Sequence, residues 1–183
     1  MKQKIGLFGG SFNPPHCGHV MIALWALMTG KFDKLVVVPT YTHAFGKELL
    51  DFDHRVEMTK AAFGHLNGFV EVSPVESAIG RSITADTVAY LVEAYAALGI
   101  EAEYTVLIGS DIVDTLPRWE GIDKLREIAD FMVLDRSLYA GGISSTRIRG
   151  ALVTRDETYL RQAIPGNVLK LILENGWYEK NEA

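Results

Sequence analysis

This chain is short of several things that would place it elsewhere. It has one cysteine in 183 residues, Cys17, so no internal disulfide can form. No apolar run is long enough to span a membrane. No signal-peptide hydrophobic region is present either, because Met1-Lys2-Gln3-Lys4 runs straight into strand-like sequence. Basic residues are outnumbered, 18 Lys and Arg against 23 Asp and Glu, for a formal net charge of −5. That balance argues against a nucleic-acid-coating protein and against a polybasic membrane binder. Repeats, low-complexity tracts and linkers are also missing. What remains is ordinary globular material, 48% hydrophobic and 22% charged. The length suits one domain over 1–183 with one sizeable core. A cytoplasmic enzyme is the expected class. An acidic protein that binds polyphosphates must gather its few cations locally.

Apolar runs alternate with helical periodicity. Strands are expected over 4–8, 34–38, 69–72, 104–108 and 131–134. Helices are expected over 20–28, 52–63, 84–98 (closed by Gly99) and 122–128. From Ser144 to Tyr178 the sequence reads as helices, broken at Pro165-Gly166 and stopped by Gly176, with a capping box at Thr154 and Glu157. Near-continuous apolar strands, each followed by a helix, imply an α/β fold. Its core is a doubly wound parallel sheet with C-terminal helices, binding ligands at the carboxyl ends of its strands. The longest stretch without periodicity, 40–51, is long enough to be a functional loop.

The most informative segment is Gly9-Gly10-Ser11-Phe12-Asn13-Pro14-Pro15-His16-Cys17-Gly18-His19. It joins the first strand to the first helix. Glycines let backbone amides approach an anion, and the helix start adds unpaired N–H groups and partial positive charge. His16 and His19, three residues apart, can face one ligand. Cys17 reads as a small filler, not a nucleophile. The segment resembles the H-x-G-H signature of the nucleotidyltransferases. Its wording is most similar to the nicotinate (or nicotinamide) mononucleotide adenylyltransferases of NAD synthesis.

Further motifs extend the resemblance along nearly the whole chain. Ile143-Ser144-Ser145-Thr146-Arg147-Ile148-Arg149 resembles the family's I-S-S-T-x-x-R motif. By that resemblance Ser144, Ser145, Thr146 and Arg149 hold ATP phosphates, while Arg147 falls at a variable position. Leu107-Ile108-Gly109-Ser110-Asp111 resembles the I-G-x-D motif that contacts the nucleotide, though Asp111 could equally cap the segment 112–116. Ser82-Ile83-Thr84-Ala85-Asp86-Thr87 is similar to S-Y-T-x-D-T, with Ile83 in place of tyrosine. The resemblance makes Thr84 and Asp86 substrate residues, and simple helix capping is the alternative. Trp119 is either core or, as in the family, a platform for the pyridine ring. Lys47 and Arg136 are further ATP-site candidates, with His43, His54 and Arg55 weaker ones. His65 has no supporting context. The segment between Arg136 and Ile143 is short for the family and lacks its Arg-Pro-Gly wording, so a sheet one strand smaller is expected.

The resemblance implies adenylyl transfer from ATP to a pyridine mononucleotide. The nucleophile is the mononucleotide's own ionised phosphate, so no general base is needed. Donors and dipoles must align the reactants and stabilise charge. His16 and His19 would act at the α- and β-phosphates, while Gly9, Gly10, Ser11 and Phe12 supply backbone contacts. Mg²⁺ would arrive with ATP, held mainly by phosphates and water. No protein metal cage is visible in the sequence. The bacterial wording favours nicotinate over nicotinamide mononucleotide. A phosphopantetheine adenylyltransferase, a cytidylyltransferase and a non-catalytic nucleotide-binding module are the alternatives. The module has no need of two histidines. No nucleic-acid or membrane partner is expected, and a homo-oligomer is left open.

Overall fold

The computed structural model describes residues 2–42, 48–135 and 142–179. Its five strands are β1 (Gln3–Gly10), β2 (Lys34–Pro39), β3 (Val70–Val72), β4 (Ala102–Gly109) and β5 (Asp130–Leu134). All pair in parallel, in the order β3-β2-β1-β4-β5. Parallel strands buried on both faces demand continuous apolar runs, which is why Leu35-Val36-Val37-Val38 forms one. Alternation then divides the side chains. Phe8, Leu35, Val37 and Leu107 go to one face; Ile5, Leu7, Val36, Val38, Val106 and Ile108 go to the other.

Helices cover each face. The first is packed by α1 (Cys17–Met28), α2 (Phe52–Phe63), α6 (Ser145–Thr154), α7 (Glu157–Ala163) and α8 (Gly166–Asn175). The second is packed by α3 (Val75–Ile79), α4 (Thr84–Ala97) and α5 (Ile122–Ile128). From β1 the chain winds outward through β2 to β3, then crosses back to β4 on the other side. The strand order therefore reverses between β1 and β4, and a crevice opens at their carboxyl ends. Further back, in mid-strand, Gly6 lets the layers close: a Cβ on it would collide with Leu35 Cδ2.

Three local expectations are corrected. Helix α1 starts at Cys17, a turn before Val20, because His16 stands at its N-cap and His19 at its third position. The Thr154–Glu157 capping box does not form. Thr154 is the last residue of α6, its hydroxyl turned back to the Gly150 carbonyl, and Asp156 caps α7 by accepting from the Tyr159 N–H. The segment after β4 is a 3₁₀ helix over Ser110–Arg118 with Gly109 at its N-cap position, so Asp111 lies inside it. Five strands are present among the described residues, as expected. Residues 136–141, where the short segment falls, lie outside them.

Candidate active site

Residues 9–19 lie at the reversal point. Gly9 and Gly10 end β1 beside Val38 and Pro39 of β2. A Cβ on Gly9 would meet nothing within 4 Å, so the surface above it is open. A Cβ on Gly10 would press on the Phe12 ring at 3.3 Å. Phe12 takes φ +44, a left-handed conformation that non-glycine residues adopt only when their surroundings enforce it. The enforcement is burial. Its ring is 1% exposed, edge-on to Phe8 and Phe63 and 4.9 Å from His19. Phe12 therefore supports the site from below with its side chain; only its backbone can meet a ligand.

The two histidines act as a pair. Their rings stack 3.7 Å apart. The His16 backbone N–H donates to His19 Nδ1 at 3.1 Å. An imidazole nitrogen that accepts carries no proton, so neutral His19 keeps its proton on Nε2. The turn thus fixes a tautomer that presents an N–H donor, which is what a phosphoryl oxygen requires.

The second motif docks on the first. Ser144 caps α6 by accepting from the Arg147 N–H. The Ser145 hydroxyl donates to the Pro14 carbonyl at 2.9 Å, and Arg149 Nη1 to the Asn13 carbonyl at 2.7 Å. Arg149 Nη2 also approaches Thr146 Oγ1 at 3.4 Å. Arg147 turns away and lies over the Tyr159 ring, 4.2 Å from its centroid. The starts of α1 and α6, far apart in sequence, thereby share one edge of the crevice.

Arg55 is the residue that the sequence undervalues. It is 1% exposed. Its Nε donates to the Leu50 carbonyl at 2.8 Å, and its Nη1 to the carbonyls of Ser11 and Thr40 at 2.9 and 2.7 Å. One guanidinium thus ties the signature turn to both described ends of the 40–51 loop. Burial pushes its pKa down, while Tyr178, Asp51 and Glu76 push it back up. Glu76, also buried, does the same for the neighbouring elements. It accepts from the Tyr41 N–H at 2.9 Å and from the Thr87 hydroxyl at 3.2 Å. Ser82 Oγ accepts from the Thr42 N–H. The loop after β2 is thereby fastened to the start of α4.

Thr84 opens α4, and Asp86 in its first turn pairs with Arg81 at 2.7 Å. Gly121, the N-cap of α5, lies so close that a Cβ on it would sit 2.8 Å from Ala85 Cβ. Trp119 stands two residues before that contact, and Thr84 and Asp86 flank Ala85 on its other side. Trp119 is half-buried, and its Nε1 donates to Thr115 Oγ1 at 3.0 Å. Gly109 ends β4 opposite Leu134, and Asp111 is exposed one turn on. His54 packs on Trp177 instead of entering the crevice. His65 lies before β3, at the opposite end of the sheet. His43, Lys47 and Arg136 lie outside the described residues.

The cytidylyltransferase-like family model matches residues 7–151. A Myxococcus xanthus protein described as a probable nicotinate-nucleotide adenylyltransferase is 34% identical, over 96% of this chain and 94% of its own. A Shouchella clausii protein of the same description is 39% identical over 73% of this chain and 69% of its own. The chain belongs to the nicotinate-nucleotide adenylyltransferase family. A solved structure of the Plasmodium falciparum nicotinic acid mononucleotide adenylyltransferase, complexed with NaAD, superposes with a TM-score of 0.77. It covers 99% of this chain and 100% of that one at 17% identity, which is a likeness of fold. In this nicotinate-nucleotide adenylyltransferase family member, the signature turn and the Ser144–Arg149 helix start form one rim of the crevice. The starts of α4 and α5 come together around Thr84, Asp86 and Trp119. Among the described residues no helix is long and apolar enough to cross a membrane.

Proposed function

We propose that this chain transfers the adenylyl group of ATP to nicotinate mononucleotide, giving deamido-NAD and pyrophosphate. The observation that carries the reading is the docking of Arg149 and Ser145 on the carbonyls of Asn13 and Pro14, which joins two phosphate-binding helix starts. Relatives described as nicotinate-nucleotide adenylyltransferases support the choice of nicotinate.

An oxygen of the mononucleotide phosphate attacks the α-phosphorus of ATP. The bond from that phosphorus to the bridging oxygen breaks, and pyrophosphate leaves. Phosphate monoesters are largely dianionic at neutral pH, so no base is required. The protein's task is alignment and charge stabilisation. Nε2–H of His19 is the donor for the α-phosphoryl oxygens, with His16 stacked beside it. Arg149, Thr146 and the amides opening α6 serve the β- and γ-phosphates, with Lys47 and Arg136 as further cations. Gly9, Gly10 and the Ser11-Phe12 backbone leave room for the nucleotide. Gly109 and Asp111 border the site from β4. Thr84, Asp86 and Trp119 take the pyridine nucleotide, with the indole face as its platform.

Mg²⁺ belongs with the ATP. Among the described residues no group of three His, Cys, Asp or Glu could hold an ion. The triphosphate itself would carry the metal, which would neutralise phosphate charge.

The test is pyrophosphate release from ATP with nicotinate mononucleotide and, separately, nicotinamide mononucleotide. Release with nicotinate at the higher kcat/KM, lost by a factor of about 100 or more in His19→Ala, is expected. Release with neither substrate, from folded protein, would sink the reading.

A further inference from the structure

Asn13 is a junction. It is 4% exposed. Its carbonyl takes Arg149, and its side-chain Oδ1 takes two donors, the Leu50 N–H at 3.2 Å and the Tyr178 hydroxyl at 2.7 Å. The Leu50 N–H can only donate, so Oδ1 must be the oxygen, and the amide orientation is fixed. We propose that Tyr178 is a positioning residue for the phosphate site: through Asn13, its hydroxyl holds the signature turn in the place where Arg149 docks. The inference rests on the reading of that site as the ATP site.

Two further features show that this contact is specified. Tyr178 sits at φ +67, a backbone conformation that a tyrosine does not adopt without compensating contacts. Its neighbour Trp177 lies against His54, with ring centroids 4.6 Å apart, so consecutive aromatics grip the start of α2 and the signature turn. Without the hydroxyl, Asn13 keeps, among the described residues, the side-chain bond from Leu50. Its peptide can then rotate, and the carbonyl that receives Arg149 moves with it. Neither Tyr178 nor Asn13 need touch substrate for the change to reach the phosphates.

The rival account is that Tyr178 only anchors the tail. A double-mutant cycle on ATP affinity separates the two. Titration calorimetry at 10 °C measures Kd for ATP in wild type, Y178F, R149A and the double variant. Y95F is the control, because it loses a hydroxyl contact elsewhere, between α4 and Glu71 of β3. The fitted stoichiometry reports the folded fraction separately from Kd. We expect Y178F to weaken ATP binding by about fivefold, the order of one lost hydrogen bond. In the R149A background Y178F should change Kd by less than about twofold, and Y95F should leave it unchanged. An unchanged Kd in Y178F, an equal loss in both backgrounds, or a Y178F chain that does not fold would each overturn the proposal in favour of a tail anchor. Pyrophosphate release tests the activity separately. A chain that shows the expected cycle and releases none keeps Tyr178's role and loses the proposed reaction.

Discussion

Glu76 has a carboxylate among the neighbours of the crevice, out of reach of solvent. Burial raises its pKa above the ordinary value, and its bonds from Ser82, the Tyr41 backbone and Thr87, together with the charge of Arg55, lower it by less. The folded chain therefore holds a proton on this group at pH values where the unfolded chain has lost it. The sign follows from linkage. Glu76's contribution to stability is greatest below the ordinary glutamate range, near pH 4, and declines as pH rises through the raised value. Urea unfolding between pH 4 and 7 should show a wild-type curve that falls with pH relative to Glu76→Gln, which has no charge to bury. Parallel curves would mean that Glu76 titrates as it does in the unfolded chain. At this scale the sequence was only partly legible. His16, His19, Ser144 and Arg149 announced themselves by type and spacing. Arg55 showed only as a weaker candidate, and Glu76, Asn13 and Tyr178 were not singled out, since their decisive partners lie far along the chain. An arginine with a glutamate nearby normally reads as solvated surface.

Elements were more legible than their joints. A parallel strand buried on both sides has to be a continuous apolar run, so all five strands stood out. Helix α3 escaped notice because its five residues are too few to show a period. The start of α1 was hidden because a histidine, not a Ser or Asp, stands at its N-cap. The joint between α4 and α5 was equally invisible, and it is testable. Gly121 has φ +73 and no room for a Cβ beside Ala85. An alanine there strains the backbone and drives the Trp119–Gly121 link away from the first turn of α4. Gly121→Ala should raise KM for the mononucleotide about tenfold, because small displacements of a positioned ring are costly. KM for ATP should stay within about twofold. Steady-state kinetics with each substrate varied in turn will show whether the two effects separate; equal rises would mean that α4 and α5 do not form a mononucleotide site.

For the molecule as a whole, the net charge is −5 while both proposed substrates are anions. Affinity must come from local donors, so binding should stabilise the fold by simple mass action. ATP with Mg²⁺ at 100 times its Kd adds about 2.7 kcal/mol. For a chain of this size that raises Tm by about 5–11 °C. A chelator should remove that shift and stop turnover, yet leave the Tm of the nucleotide-free protein unchanged. A fall in that Tm on chelation would reveal a resident metal and contradict the assignment of Mg²⁺ to ATP.

The bond between Asn13 and Tyr178 also sets a schedule. Its partners are 165 positions apart. A ribosome adding about 5–20 residues per second needs roughly 8–33 s to travel between them. Throughout that interval the nascent chain carries both histidines and the glycine pair, but the junction that orders them is open. Full affinity for a nucleotide would then arrive late in synthesis, and a chain arrested before residue 178 would hold it more weakly.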